Sequence, residues 1–464
     1  MGMVVFGGYY VYDAISPLRA AMEIELGIGP SDYGLLVSVY SWPNILGITL
    51  VGGILMDRYG VRRTVSMFLF LCIAGALVMA IGASEAFRFT ALSHVMEKMV
   101  PGISGPLFMM LLGRLLFGLG AEVLIVAQNK VTARWFAGQE LAFAFGINLV
   151  VCRLGTFLAF NVSAWIIDFQ QNWTAIPNPT GLLIMTPHHP GLSVAMWTAA
   201  AVMFGSLAAF FIYVFLDRES PSTNIDTTMF SWSHLKTLFR NRSFIIITIL
   251  GVFFYAAIFP FTSFATDILQ NKFGLSTRAA GALPSFVILS TIVGTPVAGW
   301  FVDHHGRRIT LMIIGSILLM TAHLLLGLTY FPPIVAMVAL GLAFSLVPAA
   351  MWPSIPLLVD THLMGTAYGL MGMLQNLGLW GVPMLMGFIT TWTNPNVTAE
   401  AVAQGQQVWD YTAAQLILAL FGFLSLILAL FLKHSPNSFY MEIGNTKNGG
   451  RMTKDGRRIS DNGW

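Results

Sequence analysis

The sequence predicts an all-α membrane protein of twelve transmembrane helices in two pseudo-symmetric six-helix bundles. Three observations predict it. The 464 residues are 56% hydrophobic and only 10% charged, with a mean hydropathy of +0.74, whereas soluble domains carry roughly 25% charged residues. The apolar residues gather in runs of about 20, the length that crosses a bilayer. A pattern of glycines and charges also recurs at a fixed offset between the two halves of the chain.

The runs fall at 1–22, 33–56, 64–84, 104–130, 139–167, 191–216, 243–269, 276–302, 309–330, 333–358, 364–391 and 409–433. The first looks short at its start, because only twelve residues precede Asp13. An even number of crossings puts both termini on one side. Seventeen lysines and arginines fall on that side, against Arg88, Lys98, Lys272 and Arg278 opposite, so both termini are expected in the cytosol. The longest cytosolic connection, 217–242, divides an N-terminal bundle (1–216) from a C-terminal bundle (243–433). The tail, 434–464, is rich in Gly, Asn and charge. It is too polar to bury itself and is expected to be disordered. No removable signal peptide marks the start.

Gly53, Asp57, Gly60, Arg62 and Thr64 recur as Gly299, Asp303, Gly306, Arg308 and Thr310, each 246 residues on. Gly146, Arg153, Leu154 and Gly155 recur as Gly369, Asn376, Leu377 and Gly378, each 223 residues on. The 23-residue difference places an insertion in the first half, near 85–103. At the second offset Glu122 aligns with Ser345 and Asn129 with Trp352. Parallel half-repeats with a midplane site at their interface characterise one large class of transporters.

The loop from Gly53 to Arg63 (Gly-Ile-Leu-Met-Asp-Arg-Tyr-Gly-Val-Arg-Arg) resembles the signature loop of the major facilitator superfamily, and Gly299 to Arg308 its weaker second copy. Asp57, Arg58, Arg62, Asp303 and Arg308 are therefore candidate gating residues, a carboxylate and guanidinium latch across helix ends. The alternative reading is positive-inside topology alone. A further set resembles the lysosomal dipeptide-uniporter branch of that superfamily. It comprises Tyr40-Ser-Trp42-Pro43-Asn44, Gly120-Ala-Glu122, Ala127-Gln128-Asn129, Trp135-Phe136, Arg153-Leu-Gly155, Phe259-Pro260-Phe261, Trp352-Pro353, Gly365 to Gly369 and Gln375-Asn376. The match runs through most of the chain in order. It departs at the short first helix, the 85–103 insertion and the missing N-terminal extension that carries lysosomal sorting. The resemblance implies that a helix-4 glutamate and a helix-5 arginine hold the two ends of a dipeptide, and these match Glu122 and Arg153.

Both residues sit inside runs long enough to cross the bilayer, where a charge costs about 2.5–3.5 kcal/mol or more and marks a cavity, a partner or a substrate. Glu122 would take an ammonium and Arg153 a carboxylate through its planar two-donor fork. A structural ion pair between them and a proton relay are the other readings. Asn129 lies two turns from Glu122, ~10.5 Å along one helix face. Trp352 and Trp42 would stack on a peptide or cation, or serve only as interhelical packing. Asp13 and Tyr12 belong to a polar-aromatic cluster on helix 1 with Tyr9 and Tyr10. Tyr255 faces the cavity in similar transporters, and Gln375 and Asn376 would line the opposite wall. Arg114 either pairs with Glu122 or lies nearer the outer mouth. His323 reads as a hydrogen-bonded packing residue, and Asp168 and Asp267 as solvated helix ends.

No nucleophile–base constellation, phosphate loop or cofactor motif is present, so neither an enzyme nor a bound cofactor is expected. Cys72 and Cys152 lie in apolar runs and read as small core residues without a disulfide. His188-His189 has no metal-site spacing, and nothing supports nucleic-acid binding. Asn172-Trp-Thr174 and Asn396-Val-Thr398 are sequon-like and fall on the outer side. The leading function is a uniporter or facilitator of small zwitterions, dipeptides first, working by alternating access. The alternatives are a proton-coupled organic-anion or drug antiporter, with Arg153 and Arg114 as anion clamp, and a non-transporting receptor or scaffold. The expected partners are a small-molecule substrate and the lipid bilayer, with a monomer as default. The short loops favour a bacterial inner membrane over a lysosomal one.

Overall fold

A computed structural model describes residues 1–135, 141–174, 191–216, 232–359 and 364–435. Most of the expected linker (217–231), the tail from 436, the loop with His188-His189 and the side chains of Asp57 and Asn172 lie outside the described residues.

Twelve crossings follow the twelve apolar runs, and proline and glycine decide where they break. The first run is two helices, Gly2–Asp13 and Arg19–Leu26. Pro17 lies between them and cannot supply a helical amide. The second crossing is built from Pro30–Val39, Trp42–Ile45 and Ile48–Tyr59, with Pro43 and Gly47 (φ +87°) at the bends. The third, Val61–Gly82, leads to two short helices, Glu85–Arg88 and Ala91–Met99, which form the inserted segment. The fourth to seventh are Gly105–Trp135, Leu141–Thr174, Gly191–Leu216 and Arg242–Phe273. The eighth is broken at Pro284 into Thr277–Ala282 and Ser285–His305. Arg308–Leu328, Pro333–Met351, Met364–Thr393 and Thr412–Lys433 complete the set. Among the described residues, nine stretches, the eighth crossing taken across its break, are long and apolar enough to cross a membrane by themselves. The broken first and second crossings, and the eleventh with Gln375 and Asn376 in its middle, are not among them.

The internal repeat has a structural counterpart. Gly60 (φ +81°) and Gly306 (φ +69°) turn the chain at equivalent points of the two signature loops, a backbone region that favours glycine. A Cβ on Gly155 would lie 2.4 Å from the Phe6 carbonyl oxygen, and one on Gly378 would lie 3.3 Å from that of Val252. Phe6 and Val252 are 246 apart, so the fifth crossing approaches the first as the eleventh approaches the seventh. Ser16 and Thr262 are also 246 apart, and the Ser16 hydroxyl donates to the Thr262 carbonyl at 2.7 Å. Equivalent positions touch only where they lie on the pseudo-twofold axis.

One side of the molecule carries the signature loops, and the far side carries the Glu85–Met99 segment. Hydrogen bonds join the bundles on the far side. Tyr33 OH donates to Ser263 O at 2.7 Å, Ser31 Oγ meets Thr391 Oγ1 at 2.9 Å, and Asn161 Nδ2 donates to Ser285 Oγ at 2.7 Å. The second and eleventh crossings are held close because Gly34 and Gly387 have no side chains. Asp267, read from sequence as solvated, is instead 1% exposed. It sits at this bundle seam, bonded by Tyr411 and Asn271.

Candidate functional site

The helix Gly2–Asp13 presents Tyr12 to Arg114 of the fourth crossing, and Tyr9 and Asp13 to Arg153 and Thr156 of the fifth. Asp13 is 7% exposed, and its Oδ2 accepts the Thr156 hydroxyl at 2.7 Å, one helical turn from Arg153. Tyr12 meets Tyr40 edge-on at 4.6 Å between centroids. The Arg114 guanidinium lies over both rings, 4.7 Å from Tyr12 and 5.3 Å from Tyr40. It also donates to the Tyr12 carbonyl at 3.2 Å. Arg114 is fully buried, a position a cation tolerates when aromatic faces and a carbonyl replace water. Tyr40 then donates to Glu122 Oε1 at 2.9 Å. Arg114 therefore does not bond to Glu122 directly, because Tyr40 stands between them.

Arg153, half-buried on the fifth crossing, lies 5.7 Å from the Tyr9 ring and 4.7 Å from the Phe344 ring, so it reaches across to the C-terminal bundle. Its Nε has no hydrogen-bond partner. No ion pair joins Arg153 to Glu122, whereas Arg19 pairs with Glu23 and with Asp267. Asn129, on the Glu122 face, is exposed toward the signature-loop side.

The opposing wall is aromatic. Tyr255 stacks on Phe259 at 5.6 Å and meets Phe344 edge-on at 5.8 Å. The Trp352 indole donates to Tyr255 OH at 3.0 Å, and Tyr368 OH donates back to the Trp352 carbonyl at 3.3 Å. Gln375 and Asn376 are nearly buried on the eleventh crossing, with Gln375 Nε2 and Asn376 Oδ1 unpartnered. Trp42 sits at the bend of the second crossing, 43% exposed.

The sequence-predicted residues thus divide. Tyr12 and Glu122 are joined through Tyr40, Asp13 braces the helix of Arg153, and Tyr255 and Trp352 are bonded to each other. Tyr40 and Phe344 were not among the candidates. Tyr40 stood two residues before Trp42 in the quoted motif, and Tyr9 stood 246 before Tyr255, the signals that could have found this wall. Of the gating candidates, Arg58 is exposed with its guanidinium 5.4 Å from the Tyr59 ring, Arg62 is half-buried, Asp303 is exposed and Arg308 is 7% exposed. His323 is buried, with Nδ1 2.9 Å from Gln415 Oε1 and its ring edge-on to Phe261, a packing role as expected.

Two six-helix bundles related by a pseudo-twofold axis, with intramembrane charges at their interface, define a multi-pass membrane transporter. The chain belongs to the Major Facilitator Superfamily, whose family model matches residues 1–383. The lysosomal dipeptide transporter MFSD1 of Mus musculus is 30% identical over 390 residues, covering 83% of this chain and 77% of that protein. The Homo sapiens protein of the same name shows the same identity and coverage. A hexuronate transporter of Bacillus subtilis is 23% identical over 428 residues, covering 86% and 89%. Among solved structures, the nucleoside transporter NupG superposes with a TM-score of 0.67 at 15% identity, covering 93% of this chain and 98% of that one. A bacterial homologue of the human drug peptide transporters PepT1 and PepT2 superposes at 0.62 and 15% identity, covering 95% and 98%. These likenesses in structure establish the fold.

Proposed function

We propose that this transporter moves dipeptides downhill as a uniporter, with Glu122 holding the substrate ammonium and Arg153 its carboxylate. The observation that carries the reading is that these opposite charges, on adjacent helices, are not paired with each other. Glu122 is oriented by Tyr40, and Arg153 is held between aromatic rings with Nε unpartnered. A zwitterion would neutralise both at once in a site of low dielectric. The names of the relatives at 30% identity support the substrate class.

Asn129 and Asp13 complete the polar N-terminal wall, and Tyr12 and Trp42 its aromatic part. Tyr255 and Trp352 offer ring faces to the peptide, with Gln375 and Asn376 as spare donors and acceptors opposite. Asp57, Arg58, Arg62, Asp303 and Arg308 act as the signature-loop gate. Access alternates by rocking of the bundles. The protein works as a monomer with both termini in the cytosol, an orientation supported by the Lys and Arg bias. Its compact loops favour a bacterial inner membrane over a lysosomal one.

The test is thermal stability of the purified protein with free dipeptides, end-blocked dipeptides, amino acids and dicarboxylates, because a ligand stabilises the state it binds. Free dipeptides alone should raise Tm. A second reading, an organic-anion carrier, is favoured by the two intramembrane arginines, Arg114 and Arg153, neither of which pairs with a carboxylate. A shift with dicarboxylates only would establish it and discard the dipeptide clamp.

A further inference from the structure

We propose that the cluster of Arg19, Glu23 and Asp267 is a proton-binding site, taking up one proton as the bundles close on the far side and releasing it as they part. This goes beyond the dipeptide reading and does not rest on it.

The cluster spans the bundle seam. Arg19 Nη1 lies 3.1 Å from Glu23 Oε2 in the first crossing, and Arg19 Nε lies 3.7 Å from Asp267 Oδ2 in the seventh. Relative exposure is 0% for Arg19, 3% for Glu23 and 1% for Asp267. One guanidinium therefore serves two fully buried carboxylates, which leaves one negative charge in excess when both are ionised. A buried charge without its own counter-ion is resolved by taking up a proton.

Among the described residues the neighbours supply hydrogen bonds to the two carboxylates, and Arg88, the cation bonded to the same helix, donates to the Glu25 carbonyl at 3.3 Å. Trp409 Nε1 donates to Glu23 Oε1 at 2.7 Å, Tyr411 OH donates to Asp267 Oδ2, and Asn271 Nδ2 donates to Asp267 Oδ1 at 3.0 Å. The Tyr33 ring lies 5.4 Å from the guanidinium carbon of Arg19. The other charged groups nearby do not restore balance. Asp32, on the first turn of the second crossing, adds a further carboxylate facing Arg19. Glu25 accepts from Leu192 N–H. Asp410 is exposed, and the Lys272 ammonium is bonded to the Gly327 carbonyl beside the Tyr330 ring. When the bundles part, Arg19 and Asp267 separate, water reaches both carboxylates, and the bound proton leaves.

The sign follows from linkage: the closed form binds the extra proton, so acid favours closure on the far side and alkali opens it. Nitroxide labels on Leu92→Cys and Glu400→Cys, both exposed far-side positions in different bundles, report the separation, while native Cys72 and Cys152 are buried. Measured without substrate from about pH 5 to about pH 9, the closed-to-open ratio should fall by up to about tenfold per pH unit within the titration window. Glu23→Gln should abolish that slope and stay closed, whereas Glu122→Gln, Asp13→Asn and Arg153→Ala should keep it. A flat response in the parent protein overturns the proposal, as does a slope lost in Glu122→Gln or Asp13→Asn, or one retained in Glu23→Gln. The Arg153→Ala arm keeps this outcome separate from the dipeptide reading, whose failure would leave the slope unchanged.

Discussion

The Tyr40 hydroxyl donates to Glu122 Oε1 at 2.9 Å, and the same ring lies 5.3 Å from the buried Arg114 guanidinium. The intramembrane glutamate is thus steadied by a neutral donor within its own bundle, with a cation one ring away, and Arg153 is left clear of it. A hydrogen bond to a charged group is worth about 1.5–3 kcal/mol. Tyr40→Phe keeps the ring and removes the donor, so dipeptide affinity should change by at least about tenfold. Calorimetric titration with a free dipeptide checks this. An unchanged Kd would separate the Tyr40 bond from substrate binding.

Arg153 is expected to act through its planar fork as well as its charge, because two parallel N–H groups match a carboxylate where an ammonium cannot. Arg153→Lys should lower uptake at sub-saturating dipeptide by about 10–100-fold, the range of a charge-assisted bond. Arg153→Ala should abolish uptake while expression persists. Uptake into liposomes by Arg153→Ala at the parental rate would end the two-ended clamp.

The far-side seam depends on two glycines. A Cβ at Gly34 would lie 2.4 Å from the Pro383 carbonyl oxygen, and one at Gly387 would lie 2.2 Å from that of Pro30. Backbone atoms cannot swing aside as a side chain does, so Gly34→Ala or Gly387→Ala should push the second and eleventh crossings apart and shift the population toward far-side opening. Ser263→Cys, 4% exposed as serine in the closed seam, should then react with maleimide several times faster. An unchanged labelling rate would show that the seam absorbs the methyl group by local adjustment.

Glu25, beyond the spanning part of the first crossing, has its carboxyl raised from 4.5 to about 8, chiefly by burial, while the Leu192 amide pulls the other way. A carboxyl whose folded pKa lies above its unfolded value disfavours the folded state as it ionises, so this group lowers stability as pH rises from about 4.5 toward about 8. Glu25→Gln, which retains an acceptor for the Leu192 amide, should match the parent Tm near pH 5 and exceed it at pH 8. Equal Tm differences at the two pH values would remove Glu25 as the cause.

Much of the candidate site was legible because a charge in an apolar run is conspicuous: Glu122, Arg153 and Asp13 stand out from their neighbours by chemistry alone. Tyr40 and Phe344 did not stand out, since an aromatic residue in a spanning helix looks the same whether it faces lipid, packing or a cavity. Asp267 was misread for a related reason. A carboxylate near a helix end defaults to water, and only the fold brings Arg19, 248 residues away, into contact with it. Pro17, inside the first apolar run, carries the signal for the break of the first crossing.

The sequence by itself determined the membrane class, the number of crossings and the repeat at 246 and 223. These follow from local rules, because each segment in lipid must be apolar and must satisfy its own backbone. Which charges meet was decided only by the tertiary structure. That Glu122 bonds Tyr40 rather than Arg153, and that Arg19 bridges two bundles, depends on how helices rotate and lean against one another. Those angles are set by close contacts such as Gly155 on Phe6 and Gly34 on Pro383, which arise between segments far apart in the chain and leave no mark in its local periodicity.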